Sequence, residues 1–217
     1  YRLVCMSKKV FWCKNCLNMS TRPRIEFDNK CWCNACQWSE EKKTFDWEGR
    51  KKELKKLLDK YRSNSGNFDC VVPVSGGKDG SYVAYTLKHK YGMNPLCITV
   101  APALSLDLGD QNLKNFINSG YNHLHINPDV NIMQKLNKIG FVEKGFPYYG
   151  WLIAIQSAVI RTALNFNIPL LFYGEDGEVE YGGAMEHADR ASLPYADFVA
   201  NRFSSVFPSS FENFGIN

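Results

Sequence analysis

Two groups of residues in this sequence have the types and spacing to do chemistry. The first is a pair of Cys-x-x-Cys turns, Cys13-Lys14-Asn15-Cys16 and Cys33-Asn34-Ala35-Cys36, separated by sixteen residues. Each pair can set two sulfurs on one ion, and two pairs complete a tetrahedron. Four thiolates leave no open coordination position, so the ion they imply is structural rather than a Lewis acid. Zinc is the expected metal, because thiolates are soft ligands and tetrahedral geometry suits it. An iron–sulfur centre and metal-free cysteines are the alternatives. Cys31 is the spare thiol, since Cys33 keeps the two-residue gap to Cys36. Trp12, Trp32 and Trp38 are expected to shield this knuckle or to dock it on the rest of the chain.

The second group is Ser75-Gly76-Gly77-Lys78-Asp79-Gly80-Ser81, which follows an apolar run ending at Val74 and precedes a helical pattern. Adjacent glycines permit a sharp turn and leave backbone N–H groups unobstructed. The helix start beyond them adds free donors and a field favourable to phosphate oxygens. Ser75 and Ser81 supply hydroxyls, and Lys78 supplies a point charge. Asp79 is either a helix cap or a carboxylate on the magnesium side of a nucleotide. The order differs from the Gly-x-x-x-x-Gly-Lys-Ser/Thr P-loop and from the Gly-x-Gly-x-x-Gly dinucleotide fingerprint. A purely structural turn is the alternative reading.

The elements that must position these groups fall into three zones. Residues 11–38 form the cysteine-rich module. Residues 45–62 carry Trp47, Leu54, Leu57, Leu58 and Tyr61 three or four apart, an apolar stripe on a lysine-rich connecting helix. Residues 66–217 form the main domain. There, Phe68 to Val74 reads as a strand, with Pro73 marking an edge or the strand's end. A helix over Ser81 to Tyr91, a strand over Leu96 to Val100 and a helix over 110–119 follow. His123 to Ile126 reads as a strand, 129–139 and 150–166 as helices, and Leu170 to Tyr173 as a fourth strand. Alternation of this kind predicts an α/β fold with a parallel sheet, whose ligands collect at the carboxyl ends of the strands. That rule singles out residues 75–81, 101–109 and 174–183. His89, His123, His125 and His187 show no ligand spacing, although His123 and His125 share a strand face.

Composition sets the class. The chain has 217 residues, 45% hydrophobic and 22% charged, as in an ordinary globular protein. The apolar run Trp151 to Ile155 is too short to cross a bilayer, so no membrane insertion is expected. Tyr1 to Val10 lacks the long apolar stretch of a secretory signal, Met6-Ser7-Lys8-Lys9 reads as a start, and a cytoplasmic location is expected. Net charge is +4, divided as +8 through Arg62 and −4 beyond it. A basic front can meet nucleic acid. No stacking aromatics alternate with the charges of 50–62, so a solvated helix face is the reading taken and nucleic acid is not an expected partner.

Ser75-Gly76-Gly77-Lys78-Asp79 resembles the pyrophosphate loop of the PP-loop ATP pyrophosphatases, the adenine nucleotide alpha hydrolase-like superfamily. Its usual final serine is Gly80 here, with Ser81 one place on. Either Ser81 replaces that hydroxyl or the phosphates lose a donor. Over roughly residues 11–183 the chain is similar to the N-acetyl sugar amidotransferases, a family of lipopolysaccharide and O-antigen biosynthesis. The matching pieces are the two cysteine pairs, Thr21-Arg22-Pro23, Phe27-Asp28, Val74 to Asp79, Gly174-Glu175-Asp176 and Glu180-Tyr181-Gly182-Gly183. Asp176 stands where the family usually has Asn. Members are longer, and the chain past Gly183 matches less clearly, consistent with a C-terminally incomplete domain.

The resemblance implies an ATP-dependent amidotransferase, a ligase converting an acetamido group on a nucleotide-linked sugar into an acetamidino group with release of AMP and pyrophosphate. It implies ATP and Mg2+ at Ser75, Gly76, Gly77, Lys78, Asp79, Gly80 and Ser81, with adenine against Val100 and Ala101. Lys78, Asp79, Glu175 and Glu180 are the implied catalytic residues, and Cys13, Cys16, Cys33 and Cys36 the structural Zn2+ ligands. Cysteines outside the metal module are Cys5, Cys70 and Cys97, and the last two sit in expected strands. With no glutaminase constellation evident, ammonia is expected from a separate glutaminase subunit, as the resemblance also implies. A homo-oligomer is compatible with the sequence. Rival readings are a tRNA-thiolation enzyme of the same superfamily and a non-enzymatic zinc module on a degenerate nucleotide fold.

Overall fold

Two short apolar runs and a third in which polar residues alternate with Leu124 and Ile126 build the sheet. A computed structural model describes residues 10–22 and 25–174. The chain divides into two compact units, with the first reaching to Arg50 and the second taking up at Lys51. In the second unit β1 (Cys70–Pro73), β2 (Pro95–Val100) and β3 (Asn122–Ile126) lie parallel in the order β1-β2-β3. All six residues of β2 are buried, as its central place requires.

Strand alternation sends side chains to two cores. Cys70, Val72, Val74 and Cys97 pack with Leu58, Ala84, Leu87, Leu113 and Phe116. These come from α2 (Trp47–Tyr61), α3 (Lys78–Tyr85, continued as a π turn over Thr86–Lys90) and α4 (Asp107–Asn118). Val71, Leu96 and Ile98 face the other way, onto Val159, Ala163 and Ile168. Val159 and Ala163 belong to α6 (Tyr149–Asn165), against which α5 (Val130–Lys144) packs. The result is a three-layer α/β/α arrangement.

The α2 stripe is narrower than expected. Leu58 is fully buried and Leu54 packs beside it, whereas Leu57 and Trp47 are exposed. Consecutive helical residues are separated by about 100°, so Leu57 turns away once Leu58 faces the core.

The expected fourth strand is reduced to one parallel bridge, Val71 with Leu171. Val71 N–H donates to Leu170 O at 2.9 Å, and Phe172 N–H donates to Val71 O at 3.0 Å. The next β1 donor on that side would be residue 73, and proline has none. Pro73 therefore stops the ladder after one rung. On its other side β1 continues one residue further, since Val74 N–H donates to Ile98 O at 2.9 Å.

The amino ends of the strands are closed by polar clasps. Asp69 is buried and accepts from Ser63 N and Asn94 N, each at 2.6 Å. Arg62 donates to Gly92 O and Tyr91 O at 2.5 and 2.8 Å. Among the described residues no helix is long and apolar enough to cross a membrane.

In the first unit the chain makes two tight reversals. One is closed by Cys13 N–H on Asn18 O at 2.8 Å, with Leu17 in the left-handed region at φ 65. The other is an Asp28 turn, whose Oδ1 accepts from Lys30 N and Trp32 N, each at 2.9 Å. α1 (Asn34–Glu41) begins immediately after Cys33. Trp38 is buried and meets Phe45 edge-on at 5.3 Å, and Phe45 in turn packs on Trp47.

Leu58 is the α2 side chain that anchors this helix in the second unit's core. Leu58→Ala is expected to lower unfolding stability by about 2–5 kcal/mol. Urea denaturation followed by circular dichroism measures it. Leu57→Ala, at an exposed neighbour, should cost under about 1 kcal/mol.

Candidate functional site

The glycine loop sits at the carboxyl end of β1 and runs directly into α3. Gly76 is left-handed, at φ +78, and a Cβ there would stand 2.6 Å from Leu113 N and 2.9 Å from Leu113 Cα in α4. Conformation and space both demand glycine at that position. Gly77 returns to extended backbone as the N-cap of α3, and no side chain caps the helix. Ser75 Oγ approaches Gly77 N–H at 3.4 Å. Lys78 Nζ lies 2.6 Å from Asp79 Oδ1, with both side chains largely exposed. Asp79 occupies the first turn of the helix, so of its two expected roles the cap is corrected: Gly77 holds that place. An exposed ion pair of this kind contributes little stability and can rearrange around an incoming anion.

Gly80 answers the question raised by the missing serine. A Cβ at residue 80 would meet Pro73 O at 2.7 Å and Val74 Cα at 3.3 Å. From the opposite direction Gly174 closes on the same turn, where its own Cβ would stand 2.7 Å from Gly80 N and 2.8 Å from Asp79 C. Backbone meets backbone on both sides of residue 80. A serine has no room there, while Ser81, one place on, is half-buried.

Beside the loop, at the carboxyl ends of β2 and β3, lies a cavity of about 340 Å³. Ala101 and Pro102 line it just past β2, with His125 from β3 and Asn127 just past that strand. The segment entering α4 and the helix itself supply Ser105, Asp110, Leu113, Lys114 and Ile117. Leu113 is shared, since its backbone also backs Gly76. Ser105 Oγ donates to Asp110 Oδ2 at 3.2 Å, and on the far side of β2 Trp151 Nε1 donates to Val100 O at 3.3 Å. Its lining combines apolar Ala101, Leu113 and Ile117 with an acid, a base and an imidazole, the mix that suits a small organic ligand with polar substituents.

In the first unit the four predicted sulfurs converge. Cys13, Cys16, Cys33 and Cys36 place their sulfurs within 4.8 Å of one another, with Cys13 to Cys36 at 3.8 Å and Cys16 to Cys33 at 3.5 Å. A tetrahedral ion with metal–sulfur bonds of about 2.3 Å has sulfur–sulfur edges of about 3.8 Å. The cluster therefore has the dimensions of a zinc site. Three of its cysteines are buried, and Ile25, Phe27 and Trp32 pack around them. Cys33 N–H and Asn15 N–H donate to Cys13 Sγ at 3.2 and 3.4 Å, and Asn18 Nδ2 donates to Cys33 Sγ at 3.5 Å. Such outer donors stabilise thiolate charge.

Burial raises the Cys13 thiol, but backbone N–H groups of Cys33, Asn15 and Cys16 outweigh it and leave it at about 6. Burial raises Cys16, with Cys33 and Cys13 adding to it, and burial with the three neighbouring sulfurs raises Cys36 to about 12. Four thiolates this close need a cation. Cys31 is buried, stands outside the cluster and is disulfide-bonded. Of the three tryptophans, Trp32 lies on the cluster, Trp38 is buried and Trp12 is half-exposed.

Val100, Ala101 and the loop residues Ser75 to Ser81 thus stand at one end of the sheet. Glu175, Glu180, Asp176 and His187 lie outside the described residues. Sequence reasoning missed Asp110, Lys114 and Trp151, and it gave His123 and His125, which share a strand face, no ligand role. The structure puts His125 in the cavity wall and His123 against Thr99. Strand parity was the available signal, since both histidines share the face of Thr99. Cys70 and Cys97 are fully buried, and burial pushes both thiols up to about 12, which removes them as nucleophiles.

No protein-family model matches the chain. An uncharacterized protein of Methanocaldococcus jannaschii is 33% identical over 89 residues, which are 41% of this chain and 32% of that protein. The match thus spans about a third of that curated relative's length. Among solved structures, a predicted subunit of tRNA methyltransferase from M. jannaschii is similar at a TM-score of 0.38 and 21% identity, over 62% of this chain and 61% of that one. An NH3-dependent NAD synthetase from Campylobacter jejuni, solved with nitrate ion, is similar at a TM-score of 0.45 and 15% identity, over 80% of each chain. Both likenesses are too distant to carry an activity across.

Two outcomes test this geometry. Elemental analysis of the purified chain is expected to find one zinc per chain, and Cys33→Ser should abolish it; visible absorbance from an iron–sulfur centre would refute zinc. Gly80→Ser is expected to destabilise the second unit by about 1–3 kcal/mol by overpacking. Thermal unfolding of that variant measures the effect, and an unchanged midpoint would contradict the backbone contact described here.

Proposed function

We propose that this chain is an ATP-using enzyme of the PP-loop type, cleaving ATP between its α and β phosphates to activate an amide oxygen. The observation that carries the reading is the uncapped turn Ser75 to Asp79, held open by a left-handed Gly76 at the carboxyl end of β1 and adjoining the cavity at Ala101. A helix start with glycine-exposed N–H groups suits the growing charge of a departing diphosphate. Ser75, Gly77, Lys78 and Ser81 would grip that group, and Val100 and Ala101 would back the adenine. Magnesium, when bound, would neutralise the phosphate oxygens, and Asp79, the carboxylate of the loop, would hold it.

The finer reading is an N-acetyl sugar amidotransferase. The acetamido oxygen of a nucleotide-linked sugar attacks the α phosphorus, the bond to the bridging oxygen breaks, and pyrophosphate leaves. Ammonia then adds to the imidate carbon, the carbon–oxygen bond to AMP breaks, and a proton is lost to give the acetamidino sugar. Glu175 and Glu180 remain the proposed contacts for metal, ammonia or sugar. A glutaminase subunit is the proposed ammonia source, and the knuckle is a structural zinc module in this scheme. The sequence resemblance supports these assignments, as does the lack of an accessible cysteine nucleophile among Cys70 and Cys97.

The test is release of AMP and pyrophosphate from ATP with magnesium, ammonium ion and a panel of nucleotide-linked N-acetyl sugars. Lys78→Ala is expected to lower kcat/KM by about 100-fold, the scale of removing one fixed charge-stabilising donor. ADP and phosphate as products would exclude α–β cleavage. Tight, salt-sensitive tRNA binding in place of sugar turnover would overturn the sugar reading.

A further inference from the structure

Thr99 and His123 are absent from every role assigned above, yet they form a polar chain across the sheet that ends on the residue before the glycine loop. Thr99 is buried, and its hydroxyl donates to Val74 O at 2.6 Å. His123 Nε2 lies 2.8 Å from the same hydroxyl oxygen. A threonine has one proton to give. Because it goes to Val74, the oxygen must accept from His123, which fixes the imidazole as its Nε2–H tautomer. The chain therefore runs from β3 through β2 to the last carbonyl of β1, with each donor committed.

Val74 is held on both its polar atoms. Its N–H donates to Ile98 O, and its carbonyl receives the Thr99 hydroxyl. The two peptide planes flanking Val74 are thus each tied to β2, and the one that begins the Ser75 turn is held through its carbonyl by the Thr99 hydroxyl. Without the hydroxyl, that carbonyl would lose its partner in a buried place where water does not replace it cheaply. His123 also meets His125 edge-on, with ring centroids 6.1 Å apart, and His125 lines the cavity. Burial, together with the neighbouring His125, holds His123 below the ordinary histidine range, which favours the neutral ring that the geometry requires.

We propose that Thr99 and His123 are positioning residues for the diphosphate loop: they orient the Val74–Ser75 peptide, and through it the N–H groups of Gly76 to Gly80. This rests on the loop being an anion cradle, as proposed above. A wall residue of the cavity, His125, meets the His123 ring edge-on, so the cavity wall packs against the far end of this hydrogen-bonded chain.

Thr99→Val removes the hydroxyl while keeping the side-chain shape, and Thr99→Ser restores it. Amide hydrogen exchange of Val74, whose N–H is held by Ile98 O, is expected to be about tenfold faster in Thr99→Val in the full chain without nucleotide, the equivalent of one hydrogen bond. Amides of Cys70 to Val72 should keep their wild-type rates, and Thr99→Ser should return Val74 to normal. Equal Val74 exchange in wild type and Thr99→Val would overturn the proposal whether or not the protein binds nucleotide. Long-range nitrogen–proton spectra of wild type should show His123 protonated at Nε2, and an Nδ1–H tautomer would also overturn it. Calorimetric titration with magnesium ATP and with inorganic pyrophosphate reports on the other claim. If wild type binds, Thr99→Val should bind about tenfold more weakly and Thr99→Ser within about threefold. Unchanged affinity in Thr99→Val would count against positioning. If wild type binds neither probe, the ATP reading fails, and the exchange rates and tautomer alone decide the role of Thr99 and His123.

Discussion

The close approach of bare backbone at the start of α3 is the constraint on which this site depends. Gly76 lies against the backbone of α4, Gly80 against the carbonyl of Pro73, and Gly174 against the amide of Gly80. Side chains at these three positions would push apart the strand end, the helix start and the segment returning beside β1. What their absence creates is a helix N-terminus pressed into the sheet's carboxyl edge, at a turn no side chain caps. That is a structural cost accepted at one place: glycines lose more conformational entropy on folding than other residues, by about 0.5–1 kcal/mol each relative to alanine.

The surrounding fold supplies what the loop lacks in side-chain packing. Cys70, Val72 and Val74 are buried on one side of β1 and Val71 on the other, so the strand that delivers the loop is gripped by both cores. The amino ends of the strands are closed by Asp69 and Arg62, each making two backbone contacts. At the carboxyl ends the polar groups are spent differently. Thr99 holds one carbonyl and Trp151 another, while Asp110, Lys114 and His125 are left around a cavity. One end of the sheet is built to be shut and the other to receive something.

Much of this was legible in the sequence, for reasons that can be given residue by residue. The order of strands and helices followed from periodicity, because β1 and β2 are short apolar runs flanked by breakers and the helices repeat at 3.6. The two Cys-x-x-Cys pairs gave the sulfur cluster, since spacing alone limits where four thiols can meet. The fourth strand was over-read: Leu170 to Tyr173 has the composition of a strand, but composition does not reveal that its partner's next donor is a proline. Asp79 as a cap was equally unreadable, because the N-cap position shifts by two when Gly77 takes extended backbone. The cavity wall escaped because Asp110, Lys114 and His125 are brought together across two elements, a tertiary fact with no local signature.

The knuckle shows how the same physics works where a core is too small to fold a chain by itself. Its apolar content is Ile25, Phe27, Ala35 and Trp32 around four sulfurs. Two of the reversals that bring the sulfurs together put non-glycine residues, Leu17 and Cys31, in the left-handed region. Each such residue costs on the order of 1 kcal/mol, so the reversals are not favoured locally. Nor do the metal-free thiols help, since burial first, and then the neighbouring sulfurs, push Cys36 up to about 12. A divalent ion reverses both terms: it converts the repulsion among sulfurs into four bonds, and its binding free energy becomes folding free energy for the turns. The metal would thus act in this unit as the two apolar cores act in the other, as the thing that makes costly backbone conformations worth adopting.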